Sequence, residues 1–133
     1  MQLAVARGVT VVGTAGEHDF DRVGRLGASV VRYGEGWADR VRDAVPGTVD
    51  RVFDAAGTGV LAESIALTGD AAQVITIADL TFAEHGVRFT GLDPADRFPQ
   101  ALPLLADLAA RGDLEVPVWR TFPSARPPRR TPR

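Results

Sequence analysis

The chain of 133 residues lacks both cysteine and lysine. Without cysteine there are no disulfides, no thiol nucleophile and no sulfur-ligated zinc site. Because arginine supplies all 15 basic residues, a Schiff-base lysine and the phosphate-binding lysine of a P-loop are excluded as well. Only two histidines are present, His18 and His85, so one chain cannot provide a three-histidine metal site. Few chemistries remain for the chain's own side chains.

The sequence also lacks a strong excess of charge and a long hydrophobic run. Its net charge is -2 and its pI about 5.6, so no overall positive field attracts nucleic acid. No apolar stretch approaches the ~20 residues of a membrane span, and the first residues lack a signal-peptide pattern. We therefore expect no nucleic-acid partner, no membrane partner and a cytoplasmic location. Residues 123–133, rich in proline and arginine, are expected to form a disordered tail.

What the chain does contain is an alternation of strand and helix patterns. Short apolar runs typical of buried strands occur at residues 9–14, 29–33, 49–54, 73–78, 87–92 and 116–122. Apolar residues at helical spacing predict helices over 19–26, 37–45, 60–67 and 94–111. The last is expected to break near Gln100, because Pro103 lies inside it. The alternation predicts an α/β fold with a mostly parallel sheet and flanking helices, in one domain over residues 1–122.

One short motif suggests a nucleotide site by itself. Gly57-Thr58-Gly59-Val60-Leu61-Ala62 fits the G-x-G-x-x-A pattern of a dinucleotide-binding turn, with Asp79 at the interval of a ribose-binding acid. We favour the alternative of a tight strand-to-helix turn, because one match in a glycine-rich chain is a weak signal. His18 and His85 lie beside acidic residues, and each is a weaker candidate for a general base than for a structural position.

The order of the strand motifs resembles a known family. V-V-G-T-A at 11–15, L-G-A-S-V-V-R-Y at 26–33, V-D-R-V-F-D-A-A-G at 49–57 and V-I-T-I-A-D at 74–79 are similar to successive nucleotide-domain strands of quinone-oxidoreductase-like, zinc-binding-type dehydrogenases of the medium-chain dehydrogenase/reductase superfamily. G-V-R-F-T-G at 86–91 and L-A-A-R-G-D-L at 108–114 resemble the next strand and the closing helix. The resemblance runs from about Leu3 to Pro123. It implies an incomplete Rossmann-like fold that lacks the family's first strand, glycine-rich loop and substrate domain.

The resemblance implies the NADP(H)-binding portion of a zinc-independent oxidoreductase that transfers hydride to a quinone, enone or carbonyl compound. No acid ends the first predicted strand, which favours NADP(H) over NAD(H), and Arg22 is the nearby cation for the 2′-phosphate. The implied cofactor-binding residues are Thr14, Ala15, Gly16, Arg22, Tyr33, Asp54, Ala55, Ala56, Gly57, Ile77, Ala78 and Asp79. By the resemblance the G-x-G-x-x-A motif does not bind pyrophosphate, because the family's pyrophosphate loop follows the first strand. No catalytic residue and no metal ligand are assigned.

The missing first strand would lie in the middle of the family's sheet, so its two neighbours would have unpaired edges. We therefore expect self-association through sheet edges or marginal stability, and weak or absent activity of the isolated chain. An alternative function is a non-catalytic interaction module that self-associates or complements a separate amino-terminal half. A third, weaker hypothesis is a small non-redox enzyme that uses Asp54, Asp79 or His85 as acid or base.

Overall fold

A computed structural model of the chain describes residues 1–91, 93–118 and 120–122. The chain divides into two compact units, of which the first is Met1–Pro99 and the second begins at Gln100. The predicted tail at 123–133 lies outside the described residues. Within the described ranges, no helix combines the length and the hydropathy that a membrane crossing requires.

Strands and helices alternate along the first unit. The strands are β1 (Val12–Ala15), β2 (Ser29–Arg32), β3 (Val52–Asp54), β4 (Val74–Thr76) and β5 (Arg88–Phe89). The helices are α1 (Gln2–Val5), α2 (Phe20–Arg25), α3 (Trp37–Ala44) and α4 (Leu61–Thr68), with 3-10 turns at Glu17–Asp19, Ala71–Gln73 and Pro94–Asp96. The α/β prediction is confirmed. The strands are shorter than the apolar runs, because a strand ends where its partner's ladder ends.

The strands form two small sheets, and every pairing is parallel. In the first sheet β1 pairs with β2, with Val12 opposite Ser29. In the second, β4 lies between β3 and β5, with Val52 opposite Val74 and Ile75 opposite Arg88. The prediction of a mostly parallel arrangement is therefore confirmed, although the strands divide between two sheets. Parallel pairing places the carboxyl ends of neighbouring strands at one edge.

The main apolar core lies where α4 meets the second sheet. Leu61 on α4, Val74 on β4 and Val87 before β5 are buried together, and they are surrounded by Val52, Ile65, Ala71 and Phe82. On the first sheet, α3 packs against β2 and β1 through its buried Ala38 and Val41. The helix α3 also contacts α4. These contacts fix the loops that follow the strands.

The predicted helix over 94–111 is divided in the structure. A 3-10 turn occupies Pro94–Asp96, and the helix proper, α5 (Ala101–Ala110), begins directly after Gln100. The expected break near Gln100 is therefore confirmed. Pro103 is the third residue of α5, where a backbone N–H has no intrahelical acceptor, so the proline removes no hydrogen bond.

The predicted strand over 116–122 is wrong for the residues of this segment that the structure describes. None of them belongs to a strand, and Val116 and Val118 are exposed rather than buried. Pro117 has no backbone N–H to donate to a ladder, which weakens pairing in a short segment. The apolar run was therefore a misleading signal.

Candidate functional site

The predicted site residues fall into two groups, one at the carboxyl edge of each sheet. Thr14, Ala15, Gly16 and Tyr33 lie at the ends of β1 and β2. Asp54 to Gly57 and Ile77 to Asp79 lie at the ends of β3 and β4. The two groups differ in how their polar residues are held.

An open cleft of about 420 Å³ lies at the carboxyl edge of the first sheet. It is lined by Gly16, Arg32, Tyr33, Gly34, Glu35 and Arg40. The backbone N–H of Tyr33 donates to the carbonyl oxygen of Ala15 over 3.1 Å, which holds the two loops side by side. The Tyr33 residue is 61% exposed. The volume of the cleft falls within the 300–1,000 Å³ that small-molecule sites usually have.

Gly16 keeps this cleft open. A Cβ atom added to Gly16 would lie 3.0 Å from Cε1 of His18 and 3.2 Å from Cε1 of Tyr33, which is a tight contact on both sides. The backbone of Gly16 is extended, with φ of −76°, so glycine is not needed there for conformational reasons. The reason for glycine is space, because a side chain at this position would meet the rings of His18 and Tyr33.

Arg40 shapes the loop that follows β2. From helix α3, its Nε donates to the carbonyl oxygen of Arg32 over 3.0 Å, and its Nη2 donates to the carbonyl of Gly34 over 3.1 Å. The same Nη2 lies 3.5 Å from the carbonyl oxygen of Tyr33. Three successive carbonyl groups therefore converge on one guanidinium, which fixes the loop and its position relative to the helix.

The other arginines near the cleft are paired with carboxylates. Arg22, the cation predicted from the sequence, lies 2.8 Å from Asp19, which also meets His18 at 3.0 Å. Arg32 pairs with Glu17 at 3.0 Å. Arg22 does not line the cleft, whereas Arg32 and Arg40 do. Sequence reasoning missed both, although the ends of β2 and the next helix turn are where a strand-end ligand would meet them.

The carboxyl edge of the second sheet is closed by a buried polar network. Asp54 and Asp79 are each 5% exposed, and Thr76 is fully buried. The Thr76 hydroxyl donates to Oδ2 of Asp54 over 2.7 Å. Its oxygen accepts hydrogen bonds from the backbone N–H groups of Ala78 over 3.1 Å and of Asp79 over 2.9 Å. One hydroxyl thus connects the end of β3 to the loop after β4.

Both carboxylates of this network receive hydrogen bonds from loop residues. Oδ1 of Asp54 accepts the amides of Ala56 and Gly57, each over 3.0 Å. Oδ1 of Asp79 accepts the Thr81 hydroxyl at 2.6 Å and the Thr81 amide at 2.9 Å. These bonds from Thr81, the hydroxyl first, lower the pKa of Asp79 against the effect of burial. The Gly59 amide and the charge of His85 lower that pKa further.

The buried network explains the G-x-G-x-x-A motif as a structural feature that does not require a bound nucleotide. The amides of the turn are directed at the chain's own aspartates, so a pyrophosphate would have to compete with them. Gly57 has φ of +65°, and a Cβ atom there would lie 2.7 Å from the carbonyl carbon and oxygen of Ala78. Its conformation and close contact both require glycine. The motif is therefore explained as a tight turn between β3 and α4.

The described residues contain no cluster of three or more potential metal ligands. No family model matches the chain, and no curated protein shows significant similarity to it. The geometry of the two strand edges and the resemblance of the strand motifs are therefore the features that bear on function.

Proposed function

We propose that the chain is the nucleotide-binding portion of an NADP(H)-dependent, zinc-independent oxidoreductase of the medium-chain dehydrogenase/reductase superfamily. The observation that carries the proposal is the cleft beyond β1 and β2, where two adjacent parallel strands end. Such edges are where α/β sheets bind ligands. The described residues do not contain the first strand or the glycine-rich loop that the family uses to bind the cofactor's pyrophosphate.

The residues of the cleft suit the adenosine end of the cofactor. Gly16 leaves room for close approach, and the exposed ring of Tyr33 offers a face on which an adenine can stack. Arg32 and Arg40 provide positive charge for phosphate groups. The loops after β3 and β4 contribute Ala55, Ala56 and Ile77 as exposed residues that would border a ribose.

When bound, the nicotinamide supplies the hydride, and the protein's part is to bind and orient the cofactor. The inward-directed carboxylates of Asp54 and Asp79 stabilise the loops around the cofactor and do not reach into the cleft as acid or base. We propose no catalytic proton donor in this chain, so the isolated protein is expected to bind NADPH and to reduce quinones or enones weakly.

The test is a titration followed by NADPH fluorescence. We expect saturable binding by the natural sequence and its loss in Gly16→Leu, whose side chain would fill the cleft without straining the backbone. Gly24→Leu is the matched control, because Gly24 is exposed on α2 and a Cβ there meets only Val30, at 3.9 Å. Absence of binding at millimolar NADPH would contradict the proposal.

A second candidate function is an interaction module that pairs through strand edges. Within the described residues, β1, β2, β3 and β5 each have a single strand partner, so both edges of each sheet are unpaired. Unpaired edges promote association with another chain, and Phe53 on β3 is 64% exposed. We expect the mass measured by light scattering to rise with concentration, and less so for Phe53→Glu. A monomer at all concentrations would contradict this second candidate.

A further inference from the structure

We infer that Arg40 blocks the outer edge of β2 against pairing with a strand of a second copy of the chain. The outer edge is the side of β2 that faces away from β1, and within the described residues no strand lies there. The inference concerns self-association and does not depend on a bound cofactor. It specifies which strand edge is closed in the second candidate function.

The hydrogen bonds between β1 and β2 determine which backbone groups of β2 face outward. The amides of Ser29 and Tyr33 donate to carbonyl groups of the β1 segment, so every second residue from Ser29 to Tyr33 is turned toward β1. Val30 and Arg32 alternate with them, and their N–H and C=O groups therefore face the outer edge. These are the groups that an added strand would use.

The guanidinium of Arg40 occupies this edge. Its Nε donates to the outward carbonyl oxygen of Arg32 over 3.0 Å, and its Nη2 donates to the carbonyl oxygen of Gly34 over 3.1 Å. Because α3 packs against β2, the helix that carries Arg40 holds it there. An added strand would need an N–H group at the place of the Arg40 Nε, and a charged side chain on an edge opposes strand addition.

The outer edge of β3 has an apolar residue instead. The Asp54 carbonyl accepts the Ile77 amide over 3.0 Å, so Asp54 is turned toward β4 and the backbone of Phe53 is turned away from it. Phe53 is 64% exposed. Strand addition is therefore expected at β3 and opposed at β2.

The test is Arg40→Met, which keeps a long unbranched side chain and removes every donor. Two copies related by a two-fold axis could then pair through antiparallel β2 strands. All variants also carry Phe53→Glu, so that pairing at β3 does not contribute. We expect the Kd for self-association, measured by light scattering, to fall about tenfold. Arg42→Met is the matched control, because Arg42 is an exposed arginine on the same helix and is paired with Asp39. Its Kd should not change.

Two further measurements show whether the association uses β2. The Val30 N–H faces outward, so Val30→Pro removes no hydrogen bond to β1 but takes away a donor that pairing needs. Added to Arg40→Met, it should restore the weaker association. Hydrogen exchange is independent of that substitution. The Val30 amide should become protected in Arg40→Met as the concentration rises, and it should exchange freely in Arg42→Met.

The inference is overturned if Arg40→Met associates no more strongly than Arg42→Met, or if the Val30 amide gains no protection in it. It is also overturned if Val30→Pro, shown to be folded by circular dichroism, leaves the association unchanged. Aggregation through a loosened loop would give the last two results. A natural chain that is monomeric at all concentrations would overturn the second candidate function alone, because the inference is tested by the association that Arg40→Met gains.

Discussion

The carboxyl edges of the two sheets differ in where their polar groups are directed. Beyond β3 and β4, Asp54, Thr76 and Asp79 are buried, and their oxygen atoms are bonded to their own loops. Beyond β1 and β2, Arg32 and Tyr33 face solvent around an open cleft. The residues at the strand ends therefore connect the loops to each other in the second sheet, whereas in the first sheet they form an accessible surface.

This difference shows that an acidic residue at a strand end is not by itself a sign of a ligand site. A buried carboxylate must find hydrogen-bond donors, and the nearest donors are often the amides of the following loop. Asp54 and Asp79 satisfy that need within the chain. The groups available for a ligand are those whose partners are weak or absent, and these lie at the first sheet.

Gly57→Ala should have the largest effect. Its left-handed backbone costs a non-glycine residue about 1–2 kcal/mol, and the contact of a Cβ atom with the Ala78 carbonyl adds about 1–3 kcal/mol of overpacking. We expect the free energy of unfolding, measured in urea, to fall by about 2–5 kcal/mol in total.

Gly59→Ala is the control for this prediction. Gly59 has φ of +73°, but nothing lies within 4 Å of an added Cβ atom. Its substitution should therefore cost only the backbone part, about 1–2 kcal/mol. Equal losses in the two variants would mean that the contact between the loops after β3 and β4 contributes nothing.

Thr76→Val should have the next largest effect. Valine has the same shape but cannot donate to Asp54 or accept the amides of Ala78 and Asp79, so three hydrogen bonds of a buried network are lost. We expect the free energy of unfolding to fall by about 2–4 kcal/mol. Thr48→Val is the control, because Thr48 is exposed and should change stability by less than about 0.5 kcal/mol. A loss below that of the control would show that the network is not stabilising.

Acid should destabilise the buried polar network at the carboxyl edge of the second sheet. The Thr81 hydroxyl and amide hold the pKa of Asp79 below its usual 3.8. The stabilising effect of the Asp79 carboxylate is therefore complete above pH 3.8. It is lost as the pH falls through the lower pKa that this carboxyl has in the folded state. Asp79→Asn should reduce the loss of stability between about pH 4 and pH 2. Some loss should remain, because Arg88 and the Gly91 amide also lower the pKa of Asp96.

The measurement for this prediction is urea unfolding at a series of pH values. Asp43→Asn is the control, because Asp43 is an exposed residue on α3. This variant should keep the pH dependence of the natural sequence. If Asp79→Asn also kept it, the buried hydrogen bonds of Asp79 would not be the source of acid sensitivity.

The sequence predicts the alternation of elements and the parallel direction of the strands, because both depend on local apolar patterns. Residues 29–32 and Trp37–Ala44 are found nearly where those patterns place them. The division into two sheets is not visible in the patterns. Which strands pair depends on what lies between them in space, and an apolar run carries no information about its neighbour.

The candidate site could be located only in part. The ends of β1 and β2 are brought together as expected, with Gly16 and Tyr33 in one cleft. The role of Arg40 could not be predicted, because its acceptors are backbone carbonyl groups, which every residue has. The burial of Asp54 and Asp79 could not be predicted either, since the donors that satisfy them come from loops without a fixed pattern.

Tyr33→Ala should have the smallest effect on stability. It should act only on the cleft at the carboxyl edge of the first sheet. The ring is 61% exposed, and the hydrogen bond to Ala15 comes from the backbone, which alanine retains. We expect the free energy of unfolding to change by less than about 0.5 kcal/mol. At the proposed NADPH site, the Kd for NADPH should rise about tenfold, because alanine offers no ring face on which the adenine could stack.

Tyr33→Phe separates stacking from hydrogen bonding, since phenylalanine keeps the ring and loses the hydroxyl. Affinity near that of the natural sequence in Tyr33→Phe, with a tenfold loss in Tyr33→Ala, would mean that the ring face is what the ligand uses. A large fall in stability for Tyr33→Ala would instead make Tyr33 a structural residue like Thr76. The contrast between the two edges would then be wrong, because both would be held together by their own side chains.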